Sequence, residues 1–266
     1  MARICVAGGT GQAGRAVVRQ ALDQGHAVAV LSRNPPLPEA REYYDGAAYF
    51  RADVTTGEGL AEALAGADVV IDCLEARTGK ALRNYAAGGA VLLGEAAAAG
   101  VARAVQLSIV NCDQSTFRYY RSKADKERVY ARSPLETRTV RTTQFHSLVA
   151  GIFAAGSRLG LVPVIKGARF QTIAPADVAS VLLEAALEPP SGEAYALRTI
   201  GGPEVLDMES LARTWKRITG GKGLLTNLPL PGSTGRFLRE GKNLAPGQRH
   251  GDTTFEAWLA NTQENL

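Results

Sequence analysis

In the run Tyr119-Tyr120-Arg121-Ser122-Lys123, Tyr119 and Lys123 stand four positions apart, so on a helix they share a face. An ammonium beside a phenol favours the phenolate, which lowers the phenol's pKa and makes it a workable proton donor. Such a pair suits protonation of a product as hydride leaves a nicotinamide for a carbonyl or an activated double bond. Lys123 can also bind the ribose hydroxyls next to the nicotinamide. Tyr120 would face about 100° away on the same helix, so Tyr119 is the expected acid. Tyr-x-x-x-Lys is common on helix surfaces, and its weight depends on where the fold puts it.

The elements that would position this pair begin with Val6-Ala7-Gly8-Gly9-Thr10-Gly11-Gln12-Ala13-Gly14. Before it, Arg3-Ile4-Cys5-Val6-Ala7 is short, apolar and β-branched, as a buried parallel strand should be. After it, Ala16-Val17-Val18 and Ala21-Leu22 recur at helical spacing. The glycines Gly8-x-x-Gly11-x-x-Gly14 therefore sit on a strand-to-helix turn, with Thr10 and Gln12 inside it. There a glycine permits the tight turn, another lets backbone approach a pyrophosphate, and free amides at the helix N-terminus face the anion. A glycine-rich turn without a ligand is the plain alternative.

Strand and helix signals then alternate. Ala27 to Leu31 reads as a second strand, Pro35-Pro36-Leu37-Pro38 as a loop, and Tyr49-Phe50-Arg51 as a third strand leading to Asp53. A helix starting at Thr56 or Gly57 carries Leu60, Ala63 and Leu64, and Val69-Val70-Ile71 forms the fourth strand. A long alanine-rich helix is expected from about Ala81 to Ala99, then a fifth strand at Ala104 to Leu107. A helix from about Phe117 to Arg132 and a strand at Thr137 to Arg141 add another unit. The pattern predicts an α/β fold, a Rossmann-type doubly wound parallel sheet, with a small C-terminal substrate-binding lobe. Residues 1–150 would form the nucleotide domain and 151–266 a smaller α/β lobe packed on it and sharing elements with it. In that lobe Asp177 and Asp207 read as helix caps, and a last helix lies around Phe255 to Leu259.

The second strand ends in Leu31-Ser32-Arg33, where a chain selecting unphosphorylated NAD would place a carboxylate against the adenosine ribose. That acid is missing. Ser32 and Arg33 can instead hold a 2′-phosphate, so NADP(H) is expected over NAD(H). Asp53 either accepts from the adenine amino group or caps an ordinary turn. Cys73 and Leu74 follow the fourth strand and fall at its ligand-facing end. Gln144, Phe145 and His146 follow the chain's exit from the sixth strand, where nicotinamide and substrate should meet. His146 could act as a base, contact substrate, or simply hydrogen-bond and pack.

Composition narrows the field further. With 266 residues and 45% hydrophobic content, the chain can bury a substantial core. The excess of four basic residues forms no run, and no aromatic platform accompanies it, so nucleic acid is not an expected partner. His26 and His250 offer His146 no metal-binding spacing, and no metal is expected. Three scattered cysteines fit buried thiols in a reducing compartment. The absence of a secretion-type leader and of any long uncharged apolar window leads to the expectation of a cytoplasmic protein without membrane spans.

Gly8-x-x-Gly11-x-x-Gly14 together with Tyr119-x-x-x-Lys123 resembles the short-chain dehydrogenase/reductase superfamily in its atypical NmrA-like branch. Leu107-Ser108-Ile109-Val110 and Arg141-Thr142-Thr143-Gln144-Phe145-His146 are similar to the corresponding runs of small bacterial NAD(P)-binding oxidoreductases. The resemblance implies that Ser108, with Asn111 or Ser115 as alternatives, polarises the reacting oxygen. It further implies an NADPH-preferring reductase of a small carbonyl, quinone or enone, working as a monomer or homodimer. Some members of the branch lack the tyrosine and act as regulators that sense the nicotinamide pool; here tyrosine and lysine are both present. A redox-neutral epimerase or dehydratase that retains its cofactor is the third reading.

Overall fold

The structure is a computed structural model that describes residues 1–189 and 192–264. The first part of the chain runs β1 (Arg3–Ala7), α1 (Gln12–Asp23), β2 (Ala27–Ser32), β3 (Ala47–Arg51), α2 (Leu60–Leu64), β4 (Val69–Asp72), α3 (Gly79–Arg83), α4 (Tyr85–Ala98), β5 (Arg103–Ile109), α5 (Arg118–Ala131) and β6 (Glu136–Thr142). It continues through α6 (His146–Ser157), β7 (Leu161–Ile165), β8 (Arg169–Phe170), α7 (Pro175–Leu187), β9 (Tyr195–Ile200), β10 (Leu206–Asp207), α8 (Met208–Thr219), β11 (Leu224–Leu228), α9 (Gly232–Arg239) and α10 (Phe255–Glu264).

Seven strands form one sheet in the order β3-β2-β1-β4-β5-β6-β9. Pairing is parallel where β1 meets β2 and β4, where β2 meets β3, and where β4 meets β5. This is the doubly wound α/β arrangement expected from the alternation, and its order reverses beside β1. The cause is legible in the strands. Ile4 to Ala7, Val28 to Leu31 and all of β4 are buried, as apolar strands covered on both faces must be.

The chain forms two compact units, both discontinuous. The first holds Met1–Ser108, Arg118–Val140 and Val178–Arg198; the second holds Ile109–Phe117, Arg141–Asp177 and Thr199–Leu266. Where the sequence suggested one dividing line near residue 150, the chain crosses between units several times. Leu60, Leu64, Leu92 and Tyr130 are fully buried in the core of the first unit. Each buried leucine side chain is worth about 1.5–3 kcal/mol. Phe153, Val162, Trp215 and Phe255 centre the second core. Among the described residues no helix is long and apolar enough to cross a membrane.

Three local expectations need correction. The alanine-rich helix is broken: Asn84 (φ −97°, ψ 8°) ends α3 and precedes α4. Asparagine competes for backbone hydrogen bonds and favours such breaks, and the break leaves Tyr85 only 7% exposed. Gly59, at φ 72°, delays α2 to Leu60 instead of Thr56 or Gly57. Asp177 does not cap α7; the helix starts at Pro175, a favoured first residue, and Asp177 lies in the first turn. Asp207 is a cap as expected, its carboxylate accepting from the Ser210 amide at 2.8 Å.

Candidate functional site

The β1–α1 turn is built by close backbone approach. Gly8 has φ +74°, and a Cβ there would lie 3.1 Å from the backbone of Cys73 and Leu74. A Cβ on Gly14 would come within 2.2 Å of the Gly8 carbonyl, so α1 can press against the turn only with glycine at that position. Gln12 opens α1, which has no acidic residue in its first turn to oppose an anion.

The turn forms one wall of a cleft of about 340 Å³ in the first unit. Of the expected nucleotide contacts, Gly8, Thr10, Gly11, Ser32, Arg33, Asp53, Cys73 and Leu74 line it. Ser32 Oγ accepts from the Asn34 amide at 3.2 Å and lies 3.4 Å from Thr10 Oγ1. Asp53 Oδ1 accepts from both the amide and the hydroxyl of Thr55 at 2.7 Å, so that oxygen serves the turn. Those two bonds chiefly hold its carboxyl below the usual range, with Arg33 adding to the effect. A neighbouring hollow shares Arg33, Asn34 and Asp53 and adds Arg51 and Glu58. Arg51, the last residue of β3, is paired in register with Ser32.

At the other end, β4 and α5 bring together a network of charged groups and phenols. Asp72, buried at the end of β4, pairs with Lys126 Nζ at 2.5 Å and accepts from Tyr130 Oη at 2.7 Å. Lys123 Nζ donates to Tyr85 Oη at 2.8 Å, and Tyr85 Oη donates to the Leu74 carbonyl at 2.9 Å. Tyr119 Oη donates to Glu75 Oε1, and Arg77 approaches Glu75 Oε2 at 3.6 Å. Tyr119 and Lys123 thus meet the cleft through Glu75 and Tyr85, both of which line it.

This geometry reverses one electrostatic expectation. Burial pushes the Tyr119 phenol upward; Lys123 opposes the shift, while the Glu75 carboxylate reinforces it. The lowering expected from the Tyr119–Lys123 spacing is outweighed. Burial also opposes the charge on Glu75, yet Lys123, the Tyr119 hydroxyl and Arg77 together hold its carboxyl below the usual range. Cys73 is pushed up to about 12, mainly by burial, so its thiol is an inert neighbour. Ser108 is 1% exposed on β5.

Gln144, Phe145 and His146 lie in the second unit. His146 is fully buried, with Nδ1 2.7 Å from Thr172 Oγ1 and Nε2 3.0 Å from the Thr253 carbonyl. A carbonyl only accepts, so Nε2 carries the proton and Nδ1 accepts from the threonine. Gln144 is buried and its Oε1 lies 3.4 Å from Asn243 Nδ2, while Phe145 precedes α6.

Arg51, Glu75, Tyr85 and Lys126 were not singled out in the sequence. Lys126 lies one helical turn beyond Lys123, a visible spacing without a known partner. Arg51 depends on strand register, Tyr85 on the break at Asn84, and Glu75 on the path of a short loop, none of which sequence periodicity specifies.

The model of a family described as NAD(P)H-binding matches residues 8–189. The chain belongs to that family. A chloroplastic Arabidopsis thaliana protein named for a high chlorophyll fluorescence phenotype (number 244) is 38% identical over 112 residues, 42% of this chain and 28% of that one. The photosystem II assembly factor Ycf39 of Synechocystis is 43% identical over 76 residues, 28% of this chain and 23% of that one. The chain thus matches only about a quarter of the length of these curated relatives. The NADPH complex of an NADPH-dependent quinone oxidoreductase from Escherichia coli superposes with a TM-score of 0.79 at 18% identity, over 98% of this chain and 99% of that one. At that identity the likeness establishes the fold.

Proposed function

We propose that this chain is an NADPH-preferring reductase of a small carbonyl, quinone or enone-type substrate. The observation that carries the reading is that Glu75 and Tyr85, which line the glycine-turn cleft, bond to Tyr119 and Lys123 and hold the pair beside it. The cradle suits a dinucleotide: Gly8 and Gly14 let the turn close against the end of β4 and the start of α1, the turn walls the cleft, and α1 begins there with no acidic residue in its first turn. Thr10, Gly11 and the start of α1 would hold the pyrophosphate, while Ser32, Arg33 and Arg51 would hold the adenosine phosphate. Bound there, NADPH supplies the hydride. Tyr119 delivers the proton to the product, and Lys123, fixed by Tyr85, supplies the nearby positive charge. Ser108 is the proposed hydroxyl orienting the substrate oxygen.

Loss of NADPH absorbance across a panel of quinones, enones and small aldehydes tests the reading. Turnover abolished by Tyr119→Phe supports it; wild-type turnover in that variant removes Tyr119 from its role. A second reading, a nucleotide-binding assembly or regulatory protein, is favoured by the assembly-factor name of one relative. Titration calorimetry showing NADPH binding without turnover of any panel member would select it.

A further inference from the structure

Every turnover of a reductase that uses Tyr119 as its acid leaves a phenolate, and the next turnover needs that proton restored. Tyr119 is half-buried; Lys123, Glu75 and Tyr85 face it, and the Tyr120 ring lies 5.8 Å away. The Lys123 branch leads inward. Lys123 is 5% exposed, its hydrogen bond goes to Tyr85 Oη, and Tyr85 passes its own hydrogen to the Leu74 carbonyl, which can only accept. The Glu75 branch leads outward. Its carboxylate takes the Tyr119 hydrogen bond on one oxygen, while the side chain is 40% exposed beside the exposed Arg77.

We propose that Glu75 is the positioning residue through which Tyr119 exchanges its proton with solvent. The inference rests on the reductase reading for its place in turnover. The electron pair arrives with the hydride, so only one proton remains to be supplied. As the product bond to hydrogen forms, the Tyr119 Oη–H bond breaks. Water then protonates Glu75 Oε1, the new Oε1–H bond breaks, and the proton returns to Tyr119 Oη. Each cycle consumes one solvent proton and restores both side chains. Lys123 and Arg77 flank the carboxylate and return it to its ionised form once the proton has passed.

The same contact controls the phenol even when no reaction runs, which provides a readout independent of activity. The experiment compares the full chain with Glu75→Gln, Glu75→Asp and Tyr119→Phe, and with the Glu75→Gln/Tyr119→Phe double variant. Ultraviolet titration follows tyrosine ionisation, the Tyr119 component being the difference made by Tyr119→Phe in each background. Glu75→Gln should move that component to lower pH by removing the negative neighbour, and Glu75→Asp should largely restore it. With NADPH and a quinone, Glu75→Gln should retain its first turnover but lose steady-state rate by about 100-fold, the lower end of what positioned proton transfer contributes. Its pH–rate profile should lose the limb belonging to the carboxylate. An unmoved Tyr119 titration, or a wild-type steady-state rate and pH profile in Glu75→Gln, overturns the proposal. If Tyr119→Phe abolishes turnover while Glu75→Gln changes nothing, the reductase reading stands and this inference falls. If no quinone, enone or aldehyde is turned over but the Tyr119 titration still moves, the reductase reading falls while Glu75's hold on the Tyr119 proton stands.

Discussion

Lys123 Nζ donates its hydrogen bond to Tyr85 Oη, from the start of α4, at 2.8 Å. Its placement therefore depends on a residue 38 positions away in sequence. The ammonium's orientation is set by a phenol that itself hangs from the Leu74 carbonyl. Tyr85→Phe should keep the ring packing and remove this anchor. The expected outcome is a raised KM for NADPH with stability lowered by about 1 kcal/mol, the net value of one hydrogen bond. Steady-state kinetics and urea denaturation check the two parts, and an unchanged KM would separate Tyr85 from cofactor binding.

The pair Asp72–Lys126 sits below this anchor with both side chains almost fully buried. Removing one partner strands a charge, so Asp72→Asn or Lys126→Met alone should cost about 3–5 kcal/mol. The double variant should recover a large part of that loss. Chemical denaturation of all four proteins gives the coupling, and additive losses would mean that the two groups are independently satisfied.

Cofactor choice depends on the adenosine end. Arg33→Ala should weaken NADPH binding by about 10- to 100-fold, as loss of a charge-assisted hydrogen bond of about 1.5–3 kcal/mol implies, and leave NADH nearly unchanged. Arg51→Ala should act in the same direction. Calorimetry with both nucleotides decides, and equal losses for NADH and NADPH would show a general electrostatic effect.

The second unit carries its own pH dependence. Burial holds His146 down at about 4, only partly offset by its bond to the Thr253 carbonyl. Its folded pKa lies below the unfolded value of about 6.5, so the unfolded chain takes up the proton first. The stabilisation is fully present above about pH 6.5 and is lost as pH falls towards about 4, up to about 3 kcal/mol in all. Asp177, pushed up mainly by burial, acts in the opposite sense at lower pH. Denaturation midpoints from pH 7 to 4 for wild type and His146→Asn isolate the histidine. The variant should be less stable at pH 7 and show a flatter decline.

Much of the fold was legible because its strands are apolar runs and its turns carry glycine or proline. Alternation indicated a doubly wound sheet but did not fix its strand order, and β9 as its seventh strand carried no clear signal. The glycine turn was equally open, since Gly14 is demanded by the backbone of Gly8 and Gly9 within the turn and Gly8 sits at a positive φ. The helix break was hidden: alanine carries strong helix propensity on both sides of Asn84, and one asparagine decides the matter. That hidden break also concealed Tyr85. Glu75 was missed for another reason, because a lone acid in a short loop has no periodicity to mark it. The spacing put Lys123 beside Tyr119 but showed neither the burial of the phenol nor the carboxylate on its other side, which together reverse the expected direction of its pKa.

The return of the chain to its first unit at Val178–Arg198 has a consequence for how the protein is made. Arg103 on β5 is buried and directs its guanidinium to the carbonyls of Ala185, Ala186 and Glu188, residues 82 to 85 positions later. Glu136 takes the Nε and Nη2 of that cation, but its Nη1 waits for the end of α7 to emerge during synthesis, so the nucleotide-binding unit cannot reach its final packing while only its N-terminal segment exists. A fragment cut at residue 150 would keep every glycine of the turn yet leave Arg103 without those three acceptors.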